Sequence, residues 1–296
     1  MKNLESPTGI SIEKVLFATD FSPATEASFS YAAAIADRYQ ARLYVAYVIN
    51  LESFDLLEAE PARVMISRAR DEASRRIARL LEPLGLPPER YEIVVAEGAV
   101  AEVLLNLLDR NRIDLAVFGS HGRRAFKKVL LGSIAEEVFR MASCPVLTVG
   151  PKTANISPEG GIRHILYPLQ FAPDSSPAAR YAVSLAERYG ATLTVMNVSE
   201  DLPAAPSQVD EVTQPMKRWI RDHVHETSEL QKRVRFERGF GPATGSILDF
   251  ASKANVDLIV MSVRRLDPVI AAHLPSAGIA DDLVGRAACP VLTIRE

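Results

Sequence analysis

The sequence predicts an α/β protein of two tandem, doubly wound domains, each built on a five-stranded parallel sheet, and three observations lead there. A length of 296 residues corresponds to about two domains at ~150 residues each, and a hydrophobic content of 48% is enough to give each a core. The chain also repeats itself. Slid by 150 residues, Tyr31–Ile49 falls on Tyr181–Ser199 with nine of nineteen positions identical, and at an offset of 145 Cys144-PVLTV falls on Cys289-PVLTI with five of six identical. Within each repeat, short apolar runs alternate with stretches of helical character, the pattern of successive βαβ crossovers.

The elements of the first repeat follow in order. Val15-LFAT-Asp20 is an apolar run ending at a polar residue, as expected of a strand buried on both faces. Ser22-Pro23 predicts a helix start, with serine as N-cap and proline in the first turn, and Ala27–Ala36 supplies an alanine-rich helix. Leu43-YVAYVI-Asn50 is the second strand, and a charged helix over about Ala62–Leu84 is ended by Gly85 and Pro87. Strand Tyr91–Glu97, helix Val100–Arg110, strand Leu115–Gly119, helix Ser133–Met141 and strand Val146–Val149 complete the unit. Pro151–Ile162, rich in proline, glycine and small polar residues, reads as a linker, which sets the domains at 1–154 and 155–296. The last strands, Val146–Val149 and Val291–Ile294, are apolar edges needing cover and are expected to pair the domains as an internal pseudo-dimer, with homodimerisation beyond that.

Composition removes several function classes. Thirty-four basic against 37 acidic residues leave a net charge of −3, and no basic stripe with interleaved aromatics occurs, so nucleic acid is not an expected partner. No apolar run approaches the ~18 residues of a membrane span, and two distant cysteines without an N-terminal leader pattern argue for a reducing, cytoplasmic setting. Cys144 and Cys289 occupy equivalent Cys-Pro-Val positions and are read as core residues. The five histidines are scattered; His223 and His225 are read as surface residues, and neither a metal centre nor a Ser/His/Asp constellation is legible. Trp219 is expected to anchor a helix of the second half.

One motif carries chemistry. The fourth strand runs into Gly119-SH-Gly122, and after nine intervening residues Gly132-Ser133-Ile134 opens a helix. Glycines allow the backbone to approach a ligand closely, and the free N–H groups and dipole of the helix start suit a phosphate. Arg123, Arg124, Lys127 and Lys128 lie between. The pattern is neither a Walker A loop nor a dinucleotide fingerprint.

With Ala18-Thr19-Asp20-Phe21-Ser22, Gly98, Asp114-LAVFGSHG, Gly132-SIAEEV and Ser143-CPVLTV on the page, each repeat resembles a universal stress protein domain, a Rossmann-like, adenine nucleotide alpha hydrolase-like fold. The resemblance implies binding of ATP or AMP, with Mg2+ as a possible companion. Asp20 and the main chain near Ala18 and Val48 would meet the adenine. Phe118, Gly119, His121 and Gly122 would line the ribose and phosphate path, and Gly132, Ser133 and Ile134 would receive the phosphates. The second half departs from the pattern: Gln170, Ala172, Ser262, Arg264, Arg265, Ala277 and Gly278 stand where the first has Asp20, Ser22, Gly119, His121, Gly122, Gly132 and Ser133. A nucleotide-binding first domain beside a degenerate second one, acting as a stress-response regulator or scaffold through an unknown protein partner, is the leading expectation. The alternatives are a slow ATPase or phosphotransferase, and a module binding another ligand through the second half.

Overall fold

The computed structural model of the protein describes residues 9–54, 58–119, 133–150, 153, 161–169, 177–199, 218–263 and 279–295. The expected linker lies mostly outside them. In the first half the strands are β1 (Lys14–Ala18), β2 (Arg42–Ile49), β3 (Tyr91–Glu97), β4 (Leu115–Gly119) and β5 (Val146–Val149), and the helices are α1 (Pro23–Tyr39), α2 (Ala59–Leu81), α3 (Val100–Asn111) and α4 (Ser133–Met141). The second half repeats the order with β6 (His164–Pro168), α5 (Pro177–Tyr189), β7 (Thr192–Ser199), β8 (Val234–Phe240), α6 (Ala243–Lys253), β9 (Leu258–Val263), α7 (Ile279–Arg286) and β10 (Val291–Arg295). Each half is a parallel sheet, and the two join into ten strands in the order β3-β2-β1-β4-β5-β10-β9-β6-β7-β8.

The junction is the expected pairing of last strands. β5 runs antiparallel to β10, with Leu147 opposite Leu292 and Val146 opposite Thr293. Thr293 Oγ1 adds a hydrogen bond of 3.1 Å to the Val146 carbonyl. The repeat explains why the seam is self-complementary: the Arg-Tyr pair ending α1 recurs at the end of α5, so the Arg188 guanidinium lies 4.7 Å over the Tyr39 ring and Arg38 lies 5.4 Å over Tyr189. Arg38 also donates to the Arg188 carbonyl.

Packing makes the two halves one body. On the face covered by α1, α2 and α5 a single apolar core runs through both, from Phe17, Leu43 and Ile77 to Ile165, Leu193 and Leu230. On the other face the core divides, Leu104, Leu108 and Val138 on one side and Ile247, Ile259 and Leu283 on the other. Phe139 crosses that divide. It follows Val138 on α4 but packs in the second half's cluster, and the next residue, Arg140, reaches Asp281 at 3.5 Å.

A duplicated aspartate pins the start of each first strand. The Asp114 carboxylate accepts the Glu13 and Lys14 amides, and Asp257 accepts those of Arg163 and His164, all at 2.9 Å. Two details differ from expectation. The charged helix ends at Leu81, because Pro83 lacks the N–H needed to continue it and Glu82–Leu84 tightens into a 3-10 turn before Gly85. His223 is not a free surface residue: it stacks on Trp219 with ring centroids 4.7 Å apart, and Trp219 is buried against Tyr167, which supports its anchoring role. His164 is half-buried, with Nδ1 3.1 Å from the Ala254 carbonyl oxygen and Nε2 2.8 Å from Thr194 Oγ1.

Both cysteines are buried free thiols, and burial pushes each up to about 12. Burial likewise raises Tyr31 and Tyr189 to about 12. All four hold their protons more tightly folded than unfolded, so their contribution is complete below the ordinary values of 9.0 and 10.0 and is lost as pH rises toward about 12. The melting temperature is therefore expected to be level from about pH 7 to 8.5 and to fall steeply above about pH 9. In the same range the native thiols stay unreactive toward a thiol-specific dye until the chain unfolds. Dye uptake by folded protein at pH 8 would contradict this packing.

Candidate functional site

Parallel pairing brings the carboxyl ends of β1, β2 and β4 to one edge of the first sheet. β1 pairs with β2 on one side and β4 on the other, so the chain winds in opposite directions from the β1/β4 boundary. Loops diverge at such a switch point and leave a crevice for a ligand. The side chains there are small: Ala18 lies opposite Ala46, Val48 opposite Ala96, and Gly119 ends β4 beside Val149. Gly98 closes the same edge at φ 135, its N–H donating to the Ile49 carbonyl at 3.1 Å, and a Cβ there would meet Val103 at 3.1 Å. Gly241 repeats the device in the second half at φ 84, with its N–H 2.9 Å from the Ser199 carbonyl.

The turn after β1 is the most constrained piece of this edge. Asp20 Oδ1 accepts the Ser22 amide at 2.9 Å and the Thr25 hydroxyl at 3.2 Å, while Thr19 Oγ1 accepts the Phe21 amide at 2.9 Å. Ser22 is the N-cap of α1 with proline following, as expected. It caps with its carbonyl, which accepts Thr25 N–H at 3.0 Å, and its buried Oγ has no hydrogen-bond partner among the described residues. The side-chain cap expected of Ser22 is thus replaced by the Asp20 carboxylate, which sits where the α1 dipole favours negative charge.

Between them Phe21 takes φ 57, the left-handed region that costs a non-glycine residue about 1–2 kcal/mol. Packing offsets that cost. The Phe21 ring stacks on Tyr47 of β2 at 4.9 Å and 28°, and the Arg76 guanidinium of α2 lies 4.1 Å over it. An aromatic pair contributes roughly 0.5–1.5 kcal/mol and a cation over a ring about as much.

The structure thus gathers Ala18, Asp20, Val48, Phe118 and Gly119 at one edge, with Ser133 and Ile134 opening α4. His121, Gly122 and Gly132 fall outside the described residues, as do Gln170, Ala172, Arg264, Arg265, Ala277 and Gly278 of the second half. Phe118 and Val48 turn their side chains into the core beneath α3 and α4, which leaves their main chains for any ligand. A hydrogen-bonded carboxylate beside small side chains, backbone ends and a helix start fits an adenine nucleotide chemically: acceptors for an amine edge, N–H groups for phosphate. At the equivalent edge of the second half, Met196 replaces Ala46 opposite Pro168 and is buried, and its Cε lies 2.6 Å from where a Cβ on Gly239 would stand. Asn197, in the place of Tyr47, donates to the Leu169 carbonyl at 3.3 Å.

Comparison with known proteins bears on both halves. The sequence pattern of the universal stress protein family matches residues 11–150 and again residues 161–295. The chain belongs to that family. A universal stress protein of Methanocaldococcus jannaschii is 30% identical over 141 residues, 46% of this chain and 81% of that protein, and the universal stress protein A homolog 1 of Coxiella burnetii is 30% identical over 141 residues, covering 47% and 96%. The crystal structure of a universal stress protein from Archaeoglobus fulgidus superposes with a TM-score of 0.71 over 96% of each chain at 20% identity, a likeness of fold. The tandem arrangement of universal stress protein repeats and the α/β class follow. Among the described residues no helix is long and apolar enough to cross a membrane.

The residues that sequence reasoning missed at this edge are Phe21, Tyr47 and Arg76. A phenylalanine in left-handed backbone runs against its own preference, and the arginine that stabilises it lies 55 positions away on a helix that reads as solvent-facing. The signal available was the departure of the second half, where Asn197 stands for Tyr47.

Proposed function

We propose that the first universal stress protein domain, residues 1–154, binds an adenine nucleotide, ATP or AMP, and that the second, residues 155–296, is a degenerate copy that braces it and forms a surface for a protein partner. The observation that carries this reading is the ordered turn at Asp20 beside the small side chains at the β1/β4 switch point. Asp20 accepts from the amine edge of adenine, the main chain at Ala18 and Val48 lines the ring, Gly119, His121 and Gly122 follow the ribose and phosphates, and Gly132, Ser133 and Ile134 receive the phosphates. Phe118 contributes main chain alone. The contrast with the second half supports the asymmetry, since the buried Met196 stands where the first half has Ala46.

The output we infer is regulatory: α4 begins at the phosphate end and is plugged into the second half by Phe139 and Arg140. Denaturing protein purified from its expression host and identifying the released small molecules tests the binding. Release of ATP, ADP or AMP is expected. Their absence, together with no uptake at millimolar ATP, would overturn the reading.

A further inference from the structure

Resting on that reading, we propose that Arg76 is a positioning residue for the nucleotide site, setting affinity through the Phe21 turn without touching the ligand. Phe21 adjoins Asp20, and its backbone stays at φ 57 against the preference of its residue type. Local bonds and two ring contacts keep it there. Its amide is held by Thr19 Oγ1, the next amide by Asp20 Oδ1, and its ring meets Tyr47 at 4.9 Å and the Arg76 guanidinium at 4.1 Å.

Tyr47 precedes Val48 on β2. The clamp therefore ties together both main-chain stretches that flank the adenine position, the β1 turn and the end of β2. Arg76 reaches it from the body of α2, on the turn that also carries the buried Ile77. In the second half Asn197 stands in the place of Tyr47 and donates its amide to the Leu169 carbonyl, so no ring is offered at that position.

Removing the guanidinium leaves the strained turn to relax toward ordinary backbone, carrying the Asp20 carboxylate out of register. If the competent turn then falls to about a tenth of the population, apparent affinity falls about tenfold, because apparent Kd is the intrinsic value divided by the competent fraction. The loss falls equally on ATP and AMP, since it acts on the adenine end, whereas a direct phosphate contact would spare AMP more.

The test uses the intact chain as wild type, R76A and R76K. ATP and AMP binding are titrated, amide exchange is followed at Phe21 and Ser22, and the melting temperature is recorded. Expected for R76A are an affinity loss of about tenfold for both nucleotides and faster exchange confined to the Phe21 turn, with a melting temperature within a few degrees of wild type. R76K, which keeps the cation but not the planar stack, falls between. Unchanged affinity and exchange in R76A overturn the proposal, and so does weaker binding accompanied by faster exchange throughout the domain, which marks general destabilisation. A wild-type chain that takes up no nucleotide overturns the site reading itself. Normal wild-type binding with an unaltered R76A overturns only the role given to Arg76.

Discussion

Truncating Leu292 to alanine is expected to lower the unfolding midpoint of the whole chain, not of its second half alone. Leu292 is 3% exposed and lies opposite Leu147, also 3% exposed, at the antiparallel junction of β5 and β10. A buried leucine cut to alanine costs about 2–5 kcal/mol, with the upper end reserved for sites that do not collapse. This site is held from both sides by strands, so little collapse is available. At roughly 2–4 °C per kcal/mol for a chain of this order, the midpoint drops by about 5–15 °C.

Because one core cluster runs through both halves, thermal unfolding is expected as a single transition, which Leu292→Ala and Leu108→Ala shift alike although Leu108 lies wholly within the first half. Leu292→Asp buries an unpaired charge at the same point and is expected to prevent folding. Two separate transitions, with the first half unmoved by Leu292→Ala, would show that the seam does not join the halves.

The second large effect falls on the site. Asp20→Ala is expected to weaken ATP binding by at least tenfold, about 1.4 kcal/mol or more, because in the proposed site it removes the acceptor for the adenine amine. The same change also removes the bonds to the Ser22 amide and the Thr25 hydroxyl, so a stability loss of about 1–2 kcal/mol accompanies it. Asp20→Asn separates the two effects: its carbonyl oxygen still accepts both bonds, so stability is retained while affinity falls. Equal ATP affinity in all three proteins, measured by calorimetry, would remove Asp20 from the site.

Much of this architecture was legible residue by residue. Val15–Thr19 and Leu115–Phe118 are apolar runs too short for helices, and the Tyr31–Ile49 repeat located both first crossovers and hence the parallel order. Asp257 repeats Asp114 at an offset of 143, but the purpose of the pair was not legible, since tying down the amides at the start of β1 and β6 depends on strand adjacency across 100 and 93 residues. The reciprocal Arg38-Tyr39 and Arg188-Tyr189 stacking was equally hidden, because the repeat states that the pairs are alike and not that they meet.

At the candidate site, sequence logic named Asp20, Ala18 and Gly119, which the fold brings to one sheet edge. It named Ser22 as the N-cap of α1, which it is, but only the turn geometry shows that the Asp20 carboxylate and not the Ser22 hydroxyl takes an amide there. The Phe21 clamp was illegible for a physical reason: local preference votes against it, and contacts from β2 and α2 outvote that preference.

The asymmetry between the halves is the central claim, and the stoichiometry of nucleotide binding tests it most directly. Calorimetric titration of the intact chain with ATP, after any co-purified ligand has been removed, is predicted to saturate at one nucleotide per chain and to lose that site in Asp20→Ala. Saturation at two, or binding that survives unchanged in Asp20→Ala, would contradict it.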